Sequence, residues 1–211
     1  MYRPRFQLNR RTTGLSSLEL LIVVVLIAVI AAILIPVGGR MRRAAVDVKC
    51  LSNLRQIGIA LNGYAFDNGQ FYPSTYSATR NPPNLKTWMT AAGPYAGYDR
   101  QAMGSGSLAR ATGIFYCPSM TEADCSERKV GYFYNAGIVA AKIKRQTLPM
   151  KTFLVIEGPP ANTEAMSMES FISNPHKRHL HGTSNFLSVD GSVEAIQPPF
   201  DPNDPRWLPS L

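Results

Sequence analysis

The chain has 211 residues, 45% of them hydrophobic and 17% charged, which suits one domain of about 100–150 residues plus an appendage, or two small domains, and excludes a disordered polyelectrolyte. Three cysteines without a C-x-x-C pair are too few for a disulfide scaffold and give no zinc-finger or thioredoxin signature. The net charge of +8 is concentrated at one end: residues 1–43 hold seven bases and one acid, whereas residues 44–211 hold fifteen bases and thirteen acids. Basic charge that flanks one segment and does not coat a domain points to a membrane, and nucleic acid is not an expected partner.

Residues 20–37 (LLIVVVLIAVIAAILIPV) carry no charge, and extension back to Leu15 adds one acid, Glu19. As a helix, residues 15–37 span roughly 34 Å, enough for a hydrocarbon core of about 30 Å. The apolar run is longer than the core of a secretory signal peptide, and a Val29-x-Ala31 pair lies inside it rather than after it. A plain single-span anchor fits the length but leaves Glu19 unexplained, since an ionised carboxylate near a bilayer usually has a partner.

Residues 10–21 (RRTTGLSSLELL) account for both features. They resemble the N-terminus of type IV pilins and type II secretion pseudopilins: a short basic leader ending in glycine, an apolar residue, three more residues, glutamate, then an unbroken hydrophobic helix. The resemblance implies cleavage by a prepilin peptidase between Gly14 and Leu15, with N-methylation of Leu15. Glu19 then becomes the fifth mature residue and Pro36 the twenty-second, the places where the family carries an assembly glutamate and a helix-kinking proline. Leu15 stands where phenylalanine is usual, and Ser16-Ser17 where Thr-Leu is usual. Glycine before the cut suits close approach of an extended backbone to a protease, and Glu19 is placed to pair with a neighbouring subunit's terminal ammonium. Bases lie on both sides of the span, so orientation rests on the leader resemblance.

Beyond Pro36 and Gly38-Gly39, where a bend is expected, Ala45, Val48, Leu51, Leu54, Ile57, Ile59 and Leu61 recur mostly at three- or four-residue steps. This predicts an amphipathic continuation of the helix, stopped at Asp67-Asn68-Gly69. The expected division is a leader at 1–14, a transmembrane helix at 15–37, its amphipathic continuation at 38–68 and an exported head at 69–211. The expected fold is α+β: a pilin-like lollipop whose long helix packs on a small antiparallel sheet with long loops.

The head holds fourteen of the sixteen prolines. A short helix is predicted at 85–92 and strands at 113–117, 130–139 and 152–157. A hairpin with a two-residue Asp190-Gly191 loop is predicted between 185–189 and 192–196. Residues 50–58 (CLSNLRQIG), Tyr64 to Asn68, Trp88, Pro94-Tyr95, Tyr116 to Ser119, Gly131-Tyr132, Tyr134-Asn135 and Arg178-His179 with Asp190-Gly191 follow the order of one bacterial prepilin branch that ends in a His-x9-Asp-Gly segment. His179 stands ten residues before Asp190 and His181 eight, where nine is the rule, so either histidine is a candidate for the motif.

His176, His179 and His181, with Asp190 or Glu157, carry zinc-ligand chemistry. Lys177 and Arg178 sit among them, and an exposed loop before a hairpin is the expected reading. Asp201-x-Asn203-Asp204 is too short and proline-interrupted for a calcium loop. The expected cofactor set is therefore none, with calcium or zinc in the head as the minor alternative. No Gly-x-Ser-x-Gly elbow, Walker loop or zinc-protease helix occurs, and enzymatic activity is not expected. An exported head meets an oxidising compartment, where three outcomes stand: a local Cys117–Cys125 bridge, no bridge, or Cys50–Cys117. The last is favoured because the family resemblance covers those two; it closes a loop of about 66 residues, for about 3–4 kcal/mol.

These readings converge on a prepilin-like structural subunit of a pilus or pseudopilus. It is expected as a single-pass protein of a bacterial inner membrane, leader in the cytoplasm and head outside it. Its partners would be prepilin peptidase, other pilin or pseudopilin subunits and membrane lipid. The alternative is an anchored binding or surface protein that uses the prepilin segment for export and anchoring only.

Overall fold

The computed structural model describes residues 16–73, 87–98, 113–120, 130–141, 144–161, 165–166, 168–173, 178–179 and 182–207. Helix α1 runs from Ser17 to Asp67, its backbone helical through Pro36 and the Gly38-Gly39 pair. The chain divides into two compact units between Arg42 and Arg43, so the second half of α1 belongs to the head unit.

In the first unit, Ser16 and Glu19 form a reciprocal N-terminal cap: the Ser16 backbone N–H donates to Glu19 Oε2 (2.9 Å) and the Glu19 N–H to Ser16 Oγ (3.4 Å). The large apolar side chains from Leu18 to Ile35 are all 49–77% exposed. The helix is long and apolar enough to span a membrane.

In the second unit, Cys50, Leu54, Ile57, Leu61 and Ala65 are buried at steps of four, three, four and four. The predicted stripe needs correction, because Val48 and Ile59 are exposed. At roughly 100° per residue both point about 180° away from Ile57, so their three- or four-residue spacing to other apolar positions belongs to a second face. The helix ends as expected at Gly69 (φ +66°), with Gln70 N–H donating to the Ala65 carbonyl (2.7 Å) in a left-handed cap.

After α1 come the short helix α2 (Trp88–Ala92), capped by Thr87, strand β1 (Val130–Asn135), helix α3 (Ala136–Ala141), β2 (Phe153–Ala161), β3 (Ala165–Met166), α4 (Met168–Ser173), β4 (Ser184–Ser188) and β5 (Val193–Ile196). The sheet order is β3-β1-β2-β4-β5; β3 pairs parallel through two residues, and the other pairings are antiparallel. The layout is α+β, a long N-terminal helix with a small, mainly antiparallel sheet. Two predicted strands are corrected. Gly113–Phe115 is a 3-10 turn, and the run from Val130 turns helical at Ala136, after Asn135 bends back so that its Oδ1 accepts from Gly137 N–H (3.0 Å). Short apolar runs do not distinguish these conformations by periodicity.

Strand alternation puts Tyr132, Tyr134, Val155, Glu157, Asn185 and Leu187 on one sheet face. That face meets α1: a Cβ on Gly58 would come within 2.9 Å of Leu187. The opposite face carries Phe186, which meets Phe153, Phe171, Phe200 and Trp207 at ring separations of 4.7–5.6 Å.

The β4–β5 hairpin closes through three residues, not two. Ser188 N–H donates to Ser192 O, Gly191 N–H donates back to Ser188 O, and Gly191 takes φ +83°. Asp190 braces this loop by accepting from Ser192 N–H (2.9 Å) and Oγ (2.6 Å) and pairing with Lys151 Nζ (3.0 Å). Burial is the largest single influence and opposes its charge, but the Ser192 hydrogen bonds and the Lys151 ammonium together outweigh it and hold its carboxyl below the usual range. Asp190→Ala should cost about 0.5–1.5 kcal/mol at neutral pH. Because the folded-state pKa is depressed, the contribution is complete above the unfolded pKa of about 3.9 and is lost as pH falls through the lower folded value. Denaturation midpoints of parent and variant should therefore converge in acid.

Candidate functional site

Four donor groups meet inside the head unit. Cys50 Sγ, Cys117 Sγ, a Glu157 carboxylate oxygen and a His179 ring nitrogen all lie within 4.8 Å of one another, and all four residues are buried. Each comes from a different segment. Cys50 is the first buried position of the α1 stripe. Cys117 follows the Gly113–Phe115 turn, where Gly113 adopts φ +59° with the Tyr98 hydroxyl occupying the space of a β-carbon. Asn53, one turn along α1 from Cys50, donates to the Tyr116 carbonyl (2.9 Å) and ties that turn to the helix. Glu157 interrupts the apolar run of β2 opposite Tyr132, and His179 precedes β4.

Cys50 and Cys117 are free thiols with Sγ atoms 3.0 Å apart. Cys117 Sγ donates to Glu157 Oε1 (2.7 Å) and lies 2.7 Å from Ser119 Oγ. His179 Nε2 is 2.7 Å from Glu157 Oε2, and its Nδ1 is 2.6 Å from Asp47 Oδ1. Asn185 Nδ2 donates to Glu157 Oε2 (2.7 Å), and Arg178 approaches Glu157 Oε1 at 4.0 Å while donating to the Gly158 carbonyl.

The electrostatics follow from this packing. Burial pushes the Glu157 pKa up, but the hydrogen bond and charge of His179, the Cys117 thiol and Arg178 outweigh it and hold the carboxyl below its ordinary value. Burial likewise opposes charge on His179, yet hydrogen bonds with Cys117 and Glu157, the Glu157 charge and Asp47 raise its pKa to about 10. Burial, the Cys50 hydrogen bond and the Glu157 charge push the Cys117 thiol far above its usual range, against the pull of His179. The packing thus favours the protonated Cys117 thiol, the ionised Glu157 carboxyl and the charged His179 imidazole.

Of the histidines weighed from sequence, His179 enters this cluster; His176 and His181 lie outside the described residues, as do Gly14, Leu15 and Cys125. Asp190 and Gly191 form the hairpin loop instead. Asp201 caps a turn through Asn203 N–H, and both Asp204 oxygens accept from Arg206. Asp47 and Asn185 escaped the sequence reading. Asp47 had a signal, since it stands three residues before Cys50 on the same helical side; Asn185 had none. Comparison of the chain with protein-family models, with curated proteins and with solved structures finds no match in any of the three.

Proposed function

We propose that this protein is a prepilin-like structural subunit of a type IV pilus or type II secretion pseudopilus. Its leader is removed after Gly14 on the cytoplasmic side, Leu15 becomes the methylated terminus, and the head lies across the membrane. The observation that supports this best is the exposed apolar surface from Leu18 to Ile35 with a single carboxylate, Glu19, in its first turn. Such a surface needs lipid before assembly and neighbouring helices afterwards. Within the head unit, Val48, Ile59 and Phe66 are exposed and fall within about 20° of one another around α1, a separate apolar face suited to a neighbouring subunit.

Glu19 also caps its own helix, and the test must separate that role from intersubunit pairing. Glutamine fills the same capping position but cannot neutralise a terminal ammonium. Glu19→Gln should therefore be processed and membrane-resident yet fail to enter filaments, falling by about 100-fold or more if the lost pair is buried. Mass spectrometry of the parent should find a mature terminus at Leu15 carrying a methyl group. A terminus near Ala32, or normal filament entry by Glu19→Gln, would overturn the reading in favour of an ordinary signal peptide or an anchored binding protein.

A further inference from the structure

The buried cluster has no task in the anchoring or assembly of α1, and its composition suggests one of its own. We propose that Cys50, Cys117, Glu157 and His179 form a closed, four-coordinate zinc site that cross-links the helix, the turn after Gly113, strand β2 and the segment before β4. The inference does not depend on filament assembly and stands if the protein is only anchored.

Three observations carry it. The first is geometry: zinc bonds of about 2.3 Å to sulfur and 2.0–2.1 Å to nitrogen or oxygen make tetrahedral edges of about 3.3–3.8 Å. Here the thiols are 3.0 Å apart, Cys117 Sγ is 2.7 Å from Glu157 Oε1, His179 Nε2 is 2.7 Å from Glu157 Oε2, and the four donor groups lie within 4.8 Å of one another. Opening these three short contacts by less than about 1 Å, with one Glu157 oxygen turned to the centre, would admit the ion. The second is the outer shell. His179 turns Nε2 inward and holds Asp47 on Nδ1, the carboxylate–histidine–metal arrangement that sets the tautomer of a ligating imidazole. Asn185 orients the Glu157 carboxylate, and Ser119 lies beside the Cys117 sulfur. The third is charge. Two thiolates and the Glu157 carboxylate bring three negative charges, which a divalent ion and the largely buried Arg178 guanidinium offset; the fourth, on Asp47 behind His179, is partly open to solvent.

On binding, two zinc–sulfur bonds replace two S–H bonds, the Nε2 proton of His179 leaves its lone pair to the metal, and the displaced protons pass to solvent. No electron is transferred. Two thiolates with an imidazole and a carboxylate in a tetrahedral array favour zinc over magnesium or calcium. Burial of all four ligands, with no position left for water, makes the site structural rather than catalytic. A disulfide between the two cysteines is the competing use of the same sulfurs, but it would employ neither Glu157 nor His179.

The test uses the full chain in detergent, produced with added zinc and purified under reducing conditions without chelator. Elemental analysis should find about one zinc per chain. Replacement by cobalt should give thiolate-to-cobalt charge-transfer absorption and the visible bands of a tetrahedral ion. Cys50→Ser and His179→Ala should lose the metal, Cys125→Ser should keep it, and Asp47→Ala should weaken zinc affinity by about 10–100-fold. Where a variant does not fold, the cobalt spectrum of the parent decides by itself. Zinc below about one per ten chains, absence of thiolate bands, or metal retained by both Cys50→Ser and His179→Ala would overturn the proposal. Peptide mapping of a metal-free parent that recovers Cys50 joined to Cys117 would do the same.

Discussion

Glu157→Ala should destabilise the head unit by about 3–5 kcal/mol, the cost of breaking a buried ion pair by removing one partner. The side chain is fully buried and is the common acceptor for His179, Asn185 and the Cys117 thiol, with Arg178 at 4.0 Å. Truncation leaves an imidazolium and a guanidinium facing a cavity, and it strands the Asn185 amide that served the carboxylate. Glu157→Gln keeps the volume and removes only the charge, so its cost should be nearer 1.5–3 kcal/mol, typical of one charge-assisted hydrogen bond. Urea unfolding of the full chain in detergent, followed by tryptophan fluorescence, reads both. The same order holds with zinc present, because the carboxylate is then a ligand. A loss under about 1 kcal/mol for the alanine variant would show that the charges are relieved by water and not by Glu157.

The second large effect lies on the opposite side of the sheet. Phe186→Ala should cost about 3–5 kcal/mol, combining lost transfer energy with the cavity left behind. Phe186 is fully buried and central to an aromatic group: Phe153 stands at 4.7 Å, Phe171 and Trp207 at 5.5 Å and Phe200 at 5.6 Å. Those neighbours come from β2, α4 and the C-terminal segment, so no single element can collapse into the hole. Trp207 is also held through its carbonyl by Asn135 Nδ2 (2.8 Å), and its fluorescence should change when Phe186 is removed. Phe66→Ala is the internal control: at 77% exposure its effect should stay within about 0.5 kcal/mol.

Elements with strong local signals were legible in the residue string. The long helix with its charge-free run at 20–37, the left-handed stop at Gly69, strand β2 and the β4–β5 hairpin all follow from periodicity and turn chemistry. The details that slipped were those decided by what packs above them. Val48 and Ile59 read as core by spacing, but only contact with the sheet selects which side of α1 is covered. Gly113–Phe115 reads as a strand, yet a positive φ with Tyr98 packed over it makes a turn. The Ser16–Glu19 cap is local, a serine followed three residues later by a glutamate at the start of an apolar run.

The candidate site divides along the same line. Composition and order by themselves determined a lipid-suited N-terminal helix, an α+β head and a short set of reactive residues that included Cys50, Cys117, Glu157 and His179. Only the tertiary structure decided that these four meet, joining Cys50 to Cys117 across 67 positions, Cys117 to Glu157 across 40 and Asp47 to His179 across 132. Periodicity reports neighbours one turn or one strand apart. Which distant segments close on one another is set by the register of α1 on the sheet, where Gly58 admits Leu187 and brings Cys50 over Glu157, and that register is a property of the packed core as a whole.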